Sequence, residues 1–170
     1  MGLEVTDAVP ADAVELAEVA AATFPLACPP WASEDDVSAF IAANLSAAHF
    51  AGYLTDAGRT LLALREDGRI AGYAMLVQQD DELEVELSKF YVLPDRHGSG
   101  AAALLMRAVL DSAAGSGARA VKLGVNRRNE RAQTFYRKHG FEITGTRTFD
   151  LGWSIEHDYV MTRPLSATSG

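Results

Sequence analysis

The chain has 170 residues, of which 48% are hydrophobic and 22% are charged, a composition typical of an ordinary soluble globular domain. Its formal net charge of −8 at pH 7 argues against non-specific binding to nucleic acid or to an anionic membrane surface, because like charges repel. The single cysteine, Cys28, excludes an internal disulfide framework and indicates a reducing cytoplasm.

No linker, internal repeat or long low-complexity segment divides the chain, so a single domain over residues 1–170 is predicted. No run approaches the roughly 18 apolar residues that a membrane span requires, and the acidic rather than basic start of the chain agrees with the reducing cytoplasm that the lone cysteine indicates. Four histidines, His49, His97, His139 and His157, show no metal-ligand spacing, so no metal site is predicted.

The N-terminal third predicts one short strand followed by two helices. "LEVT" has the pattern of a strand, and the apolar residues of Ala11–Phe24 recur at helical spacing until "PLACPP" breaks the helix. Ser33 is followed by three acidic residues, a typical helix start. The helical pattern that begins there continues to about Leu54, with one interruption near Ser46.

The middle of the chain predicts a strand pair and a third strand. Asp67-Gly68 lies between two apolar runs, and Asp-Gly in that position is a strong signal for a β-hairpin. The following segment, "DELEVELSKFYVLP", alternates between apolar and polar residues. One face of this strand carries Leu83, Val85 and Leu87, and the other carries Glu82, Glu84 and Glu86.

A glycine-containing loop separates that strand from a helix predicted from about Gly98 to Ala114. The strand "AVKLGV" (Ala120–Val125), the helix "NERAQTFYRKHG" and the strands "FEITGTRTFDL" and "IEHDYVMTR" complete the pattern. Strands that alternate with helices in the middle, with hairpins at both ends, predict an α/β (α+β) fold with a mixed sheet.

Gly98 and Gly100 admit several interpretations. With Ala103 they satisfy the loose dinucleotide pattern G-x-G-x-x-A. However, four residues intervene between strand and glycine, and the next strand ends without the acidic residue that would bind ribose. A P-loop is excluded because no Gly-Lys-Ser/Thr follows. The remaining interpretation is an anion site at a helix start, suited to a phosphate or pyrophosphate.

Two segments carry a resemblance to a known family. "FYVLPDRHGSGAAALLM" resembles the first signature of the GNAT superfamily of acyl-CoA-dependent N-acetyltransferases, and "VNRRNERAQTFYRKHGFE" resembles the second. With the flanking strands, the resemblance covers about residues 59–163. It implies a mixed, mainly antiparallel twisted sheet of about seven strands with about four helices. The N-terminal third is similar to members grouped with polyamine acetyltransferases.

The resemblance implies that acetyl-CoA is a cosubstrate whose pyrophosphate is held by the glycine loop. The coenzyme-binding residues that it implies are Tyr91, Val92, Arg96, His97, Gly98, Ser99, Gly100, Ala101, Ala102, Asn129 and Phe135. His97 stands where the family usually has Gln or Arg, which places a side-chain phosphate contact there in doubt. Arg96 and Arg107 are candidates to compensate.

Transfer of an acetyl group from a thioester to an amine requires a proton acceptor, an oxyanion stabiliser and a proton for the leaving thiolate. The resemblance implies Tyr136 as the proton donor and the backbone N–H near Val92 as the oxyanion stabiliser. Glu86 is the candidate base, because it lies on the same strand as Val92 and some family members carry a glutamate there.

Structural roles for the same residues stay open. Tyr136 and its aromatic neighbours Phe135 and Phe141 also suit the apolar face of a helix, and Asn129 suits a helix cap. The three glutamates suit the solvated side of a strand. No role for Cys28 follows from the sequence, since no partner base lies near it.

The leading functional hypothesis is an N-acetyltransferase whose acceptor is a primary amine of a small molecule, polyamine-like or amino-acid-like, or of a protein. Asp80 and Asp81 extend the acidic face and favour a cationic, polyamine-like acceptor. The alternative is an acyl-CoA-binding domain that has lost catalysis and regulates or senses. Many family members are dimers, so the resemblance also allows a homodimer.

Overall fold

The computed structural model describes residues 2–28, 31–80, 83–96, 99–150, 152 and 154–165, with Phe149 described by its backbone alone. These residues form seven strands and five α-helices. The strands are β1 (Leu3–Asp7), β2 (Arg59–Glu66), β3 (Arg69–Gln78), β4 (Glu84–Val92), β5 (Ala120–Asn126), β6 (Glu142–Asp150) and β7 (Ile155–Pro164). The helices are α1 (Ala13–Ala27), α2 (Glu34–Asn44), α3 (Ala47–Thr55), α4 (Ala101–Gly115) and α5 (Glu130–Lys138).

The strands form a seven-stranded sheet in the order β1-β2-β3-β4-β5-β7-β6. β4 and β5 are parallel, whereas β1 with β2, β5 with β7 and β6 with β7 are antiparallel. The predicted mixed, mainly antiparallel α/β sheet of about seven strands is therefore confirmed. The helices number five among the described residues because Ser46 caps α3 and so divides the long predicted second helix.

The chain folds into two compact units, each built from two chain segments. The first unit combines Met1–Met75 with Lys89–Ala108, and the second combines Leu76–Ser88 with Val109–Gly170. That all 170 residues form a single domain stays a prediction.

In the first unit, α1 buries one face in an apolar core. Leu16 and Ala20 are fully buried, and the ring of Phe24 stacks on that of Phe40 with centroids 4.7 Å apart. The helix continues to Ala27 and includes Pro25, so the predicted break at this proline is wrong by about one turn. A proline near the last turn removes one helical hydrogen bond without requiring the helix to stop before it.

The segment Glu34–Thr55 contradicts the expectation that no stretch of the chain approaches the length and apolar composition of a membrane span. Its 22 residues are long and apolar enough to cross a membrane by length and composition, with hydropathy 1.3 in a window that is 17% buried. The segment is not one continuous helix, because Ser33 and Ser46 cap α2 and α3 separately by accepting the backbone N–H groups of Asp36 and His49. That the chain binds no membrane stays a prediction.

The hairpin between β2 and β3 has the predicted turn. Asp67 and Gly68 both have positive φ, at 52° and 84°, as a tight two-residue hairpin turn requires. In the second unit, Val121, Leu123 and Val125 of β5 are buried in the core. Strand alternation therefore puts Lys122, Gly124 and Asn126 on the opposite face, together with Glu84 and Glu86 of the paired strand β4.

Candidate active site

The glycine loop in the first unit opens α4. Gly100 has a φ of +85°, and within the described part of the chain a Cβ atom built on it would have no atom within 4 Å apart from its chain neighbours. The helix begins at Ala101, three residues later than predicted, because a positive φ is incompatible with a right-handed helix. Ser99 Oγ accepts a hydrogen bond from the backbone N–H of Ala101 at 3.3 Å. His97 and Gly98 lie outside the described residues.

Open space beside backbone N–H groups at the start of a 15-residue helix is an arrangement that suits a phosphate group. Ser99, Gly100, Ala101 and Ala102 lie at this helix start, where the N–H of Ser99 donates to the oxygen of Arg96 and that of Ala101 donates to Ser99 Oγ, each at 3.3 Å. Whether they bind a coenzyme stays a prediction.

Arg96 is occupied by carboxylates of its own unit. Its guanidinium forms ion pairs with Glu66 and, at 2.8 Å, with Asp95. These ion pairs hold the guanidinium within the first unit, and a contact of Arg96 with a phosphate stays a prediction. Arg107, the second candidate for this role, is exposed on α4.

The end of β4 is held tightly against β3. A Cβ atom on Gly72 would lie 2.7 Å from the backbone oxygen of Tyr91 and 3.2 Å from Cα of Val92, and the N–H of Leu93 donates to the oxygen of Ala71 at 2.9 Å. Only a glycine allows this approach. Sequence analysis missed Gly72, although a glycine inside a strand is a signal for close backbone approach.

The side chain of Tyr91 belongs to an aromatic cluster. Its ring centroid lies 5.7 Å from that of Tyr73, which lies 5.4 Å from that of Phe50. Burial, with a smaller contribution from the nearby Cys28 thiol, raises the pKa of Tyr91 to about 12. The Tyr91 side chain thus packs within the unit as a neutral phenol, and a coenzyme contact at this position would use the backbone.

Two residues that sequence analysis did not select also belong to this region of the first unit. Lys89 Nζ lies 5.7 Å from the ring centroid of Tyr53, and the Arg59 guanidinium lies 4.9 Å from the same centroid. Burial, together with the positive charge of Arg59, lowers the pKa of Lys89.

The thiol of Cys28 donates to the oxygen of Phe24. Burial raises the pKa of this thiol, which disfavours the nucleophilic thiolate.

In the second unit, the glutamates of β4 are paired with cations. Glu84 accepts from Lys122 Nζ at 3.3 Å, and Glu86 accepts from Arg147 Nη1 at 3.1 Å. The two glutamates share a face as predicted, but this face is not a bare acidic surface. Glu82 and Asp81, which were expected to extend it, lie outside the described residues.

Arg147 of β6 is a component that sequence analysis missed. A Cβ atom on Gly124 would lie 2.7 Å from its Nε and 2.8 Å from its Cζ, so the guanidinium lies directly on the backbone of β5. Asp158, which is directly opposite Arg147 in the ladder between β6 and β7, is only 8% exposed. Burial raises the pKa of Asp158, and the positive charge of Arg147 offsets part of this effect.

The predicted residues of α5 have structural contacts in the same unit. Asn129 is the helix cap, because its Oδ1 accepts the N–H of Ala132 at 3.1 Å. Tyr136 is half-buried, with its ring centroid 5.6 Å from that of Phe135 and 5.8 Å from that of Phe141. The packing role and the proton-donor role of Tyr136 are compatible with these contacts, so the latter stays a prediction.

Comparison with known proteins identifies the family. The family model described as the Acetyltransferase (GNAT) family matches residues 17–141. A protein of Mycobacterium tuberculosis, described as an uncharacterized N-acetyltransferase, is 60% identical over 154 residues, which cover 91% of this chain and 98% of that protein.

Solved structures share the fold. The PaiA N-acetyltransferase of Thermoplasma acidophilum in complex with coenzyme A has a TM-score of 0.84 at 20% identity, covering 96% of this chain and 99% of that one. A Salmonella typhimurium protein described as an acetyltransferase, solved with its cofactor acetyl-CoA, has a TM-score of 0.71 at 19% identity, covering 100% of this chain and 98% of that one. The family match, which spans most of the chain, and the 60% identity to a named N-acetyltransferase lead to one conclusion: the chain belongs to the GNAT family and is an N-acetyltransferase.

Proposed function

We propose that the protein transfers an acetyl group from acetyl-CoA to a primary amine by direct attack of the amine on the thioester. The observation that carries this proposal is the start of α4, where Gly100 leaves open space beside backbone N–H groups in a chain of the GNAT family. Such groups bind phosphate, and the pyrophosphate of acetyl-CoA is the anion that the family membership supplies.

In this reaction the amine nitrogen bonds to the thioester carbonyl carbon, the carbon–sulfur bond breaks, and the thiolate takes up a proton. The backbone N–H of Val92 is assigned to stabilise the developing charge on the carbonyl oxygen. The close contact of Gly72 with Tyr91 and Val92 supports this role, because it holds this stretch of backbone in one position. Tyr136 is assigned to protonate the thiolate.

Glu86 is assigned to take the proton from the acceptor. An alkylammonium with a pKa near 10.4 must lose a proton before it can attack, which costs about 4 kcal/mol at pH 7. A carboxylate on the exposed face of β4 meets this need. The acceptor must then compete with Arg147 for the Glu86 carboxylate, because the two side chains form an ion pair at 3.1 Å.

The proposed acceptor is a primary amine of a small molecule, polyamine-like or amino-acid-like, or of a protein. A cytoplasmic location and the absence of nucleic-acid or membrane partners are part of the proposal, supported by one cysteine and a net charge of −8. The proposal also includes a homodimer, and this part is based only on membership of the family.

The decisive experiment compares two glycines with the same backbone conformation. Gly100 and Gly68 have φ values of +85° and +84°, and among the described residues only chain neighbours come within 4 Å of a Cβ position at either. Alanine strains both positions equally, but only at Gly100 does it intrude on the proposed anion site. Calorimetry should show that Gly100→Ala weakens coenzyme A binding by about 10-fold or more while Gly68→Ala does not. Undiminished binding by Gly100→Ala would place the pyrophosphate elsewhere.

A second candidate function is a coenzyme-binding regulatory domain without catalysis. The ion pair of Glu86 with Arg147 and the use of Asn129 as a helix cap favour it, because both residues then have structural roles. Release of coenzyme A from acetyl-CoA, measured against a panel of amines, separates the two. Tight coenzyme binding with no turnover of any amine supports the regulatory function.

A further inference from the structure

The ion pair between Glu86 and Arg147 joins strands that are distant in sequence. Glu86 lies on β4 and Arg147 on β6, 61 residues later, and their side-chain exposures are 27% and 39%. Neither group is sealed in the core, so a ligand can reach both. A carboxylate and a guanidinium held side by side form a surface that complements a molecule with an adjacent ammonium and carboxylate.

The position of Arg147 depends on the lack of a side chain at Gly124. The Nε and Cζ atoms of Arg147 occupy the space where a Cβ would be, at 2.7 and 2.8 Å from it. The planar guanidinium therefore rests on the β5 backbone, and its Nη1 is directed to Glu86. This fixed, planar donor is the geometry that proteins use to bind a carboxylate through two parallel hydrogen bonds.

The groups around this pair carry charges of both signs, and Asp158 lies directly opposite Arg147 in the ladder between β6 and β7. Glu84, the neighbouring acid on the same face, is neutralised by Lys122. At the end of β5, a cavity of about 290 Å³ is lined by Arg127, Arg128 and His157 together with Asn126 and Glu156. The carboxylate of Glu156 accepts hydrogen bonds from the neutral side chains of Asn126 and Ser154 at 2.9 Å each, which fix its position.

From these contacts we propose that the acceptor is amino-acid-like, with a carboxylate next to the amine that is acetylated. The proposal rests on the acetyl-transfer function above and narrows its acceptor. Arg147 binds the acceptor carboxylate, and Glu86 binds the adjacent ammonium and then removes its proton. Arg147 is thus the residue that determines specificity, because a polyamine offers no carboxylate to its guanidinium.

The test uses acceptors that differ only in the carboxylate. Amino acids are compared with their amides and with diamines of similar length, and each kcat/KM is corrected for the fraction of neutral amine. Wild-type protein should prefer the acids by roughly 10-fold or more, and Arg147→Gln should lower kcat/KM for the acids by roughly 10- to 100-fold with little change for the amides. Lys122→Gln removes the same charge from the same sheet face and should preserve the preference.

Two further variants keep the test valid if Arg147→Gln folds poorly. Arg147→Lys retains the charge without the planar fork and should lose part of the preference. Gly124→Ala displaces the guanidinium while leaving Arg147 intact and should also reduce it. Equal losses for acids and amides in these variants, or faster turnover of diamines than of amino acids by the wild type, would overturn the proposal.

A binding measurement separates this inference from the function on which it rests. Calorimetry of an amino acid and of its amide, with protein saturated with coenzyme A, needs no turnover. If the protein binds the acid more tightly than the amide, and Arg147→Gln abolishes this preference, the acceptor assignment is supported. It is supported even when catalysis is absent, and then only the acetyl-transfer proposal fails. Equal binding of acid and amide, with turnover present, rejects the acceptor assignment alone.

Discussion

At the scale of single residues, two glycines inside strands let neighbouring groups approach the backbone more closely than a side chain would allow. Gly72 admits the backbone of β4, and Gly124 admits the guanidinium of Arg147. In each case a single added carbon would occupy space that the neighbouring group now fills. The candidate acid and base, Tyr136 and Glu86, are also single side chains. The ring of Tyr136 packs on Phe141, and the carboxylate of Glu86 pairs with Arg147, with which an acceptor would have to compete.

Tyr136→Phe distinguishes catalysis from packing, because phenylalanine keeps the ring contacts with Phe135 and Phe141 and removes only the hydroxyl. We expect kcat to fall by roughly 10- to 1,000-fold with little change in coenzyme affinity. Steady-state kinetics and calorimetry on the same preparation measure both. An unchanged kcat, with the chemical step shown to limit the rate, would leave Tyr136 as a packing residue.

Glu86→Gln should lower acetylation most near neutral pH. At high pH the acceptor amine deprotonates unaided, so the activity of the variant should partly recover. Glu84→Gln is the matched control, because Glu84 lies two residues away on the same face and is also paired with a cation. A constant ratio of Glu86→Gln to wild-type activity from about pH 6.5 to 9.5 would reject Glu86 as the base.

At the scale of elements, the site residues depend on how strands and helices begin, end and pair. The parallel ladder joins Glu84–Glu86 of β4 with Ala120–Lys122 of β5, while the last residues of β4 are held by β3 through Gly72 and the hydrogen bond from Leu93 to Ala71. α4 starts only after the left-handed residue Gly100. The position of each candidate backbone N–H donor therefore depends on where the strands and helices begin and end.

Gly72→Ala should disturb the pairing of β3 with β4, because its Cβ would lie 2.7 Å from a backbone oxygen that cannot rotate away. We expect a loss of about 1–3 kcal/mol in the free energy of unfolding, measured by urea denaturation, together with reduced turnover.

Gly52→Ala is the control for this experiment, since Gly52 lies in α3 and no described residue outside its own helix comes within 4 Å of a Cβ position there. It should stabilise the protein by about 0.5–1 kcal/mol through helix propensity. Equal stability changes in the two variants would show that the close contact at Gly72 has no energetic consequence.

At the scale of the whole molecule, titratable groups with shifted pKa values link stability to pH. Burial lowers the pKa of His139, with Arg163 and Lys138 contributing. The unfolded chain therefore binds more protons there, and stability decreases on acidification below about pH 6.5. Burial raises the pKa of Asp158, which has the opposite effect: this residue's contribution to stability falls as pH rises from about 3.8 through its folded pKa.

Asp158→Asn should consequently increase the free energy of unfolding at pH 7, where the wild-type carboxylate is charged and buried. The difference between variant and wild type should diminish as pH is lowered toward about 4, because the wild-type carboxyl then becomes neutral as well. Thermal melts of both proteins across this pH range measure the effect. A gain in stability that grows on acidification would contradict the raised pKa.

Local signals in the sequence were sufficient for much of the fold. The seven strands, the hairpin at Asp67-Gly68, the cap at Ser33 and the family signatures were all predicted, because each depends on residues within a few positions of one another. Boundaries were less accurate: α1 extends past Pro25, and α4 starts at Ala101. A helix end depends on hydrogen bonds and packing that a residue pattern does not contain.

The sequence by itself determined the fold class and the loop that opens α4, because short patterns with local physical causes carry both, and its two signature segments carried the resemblance to the family. Only the tertiary structure decided that Glu86 pairs with Arg147, that Arg147 lies on Gly124 and that Gly72 lies against Tyr91. These contacts join residues 61, 23 and 19 positions apart. They depend on strand order and register, since a shift of one residue would turn each side chain to the other face of the sheet.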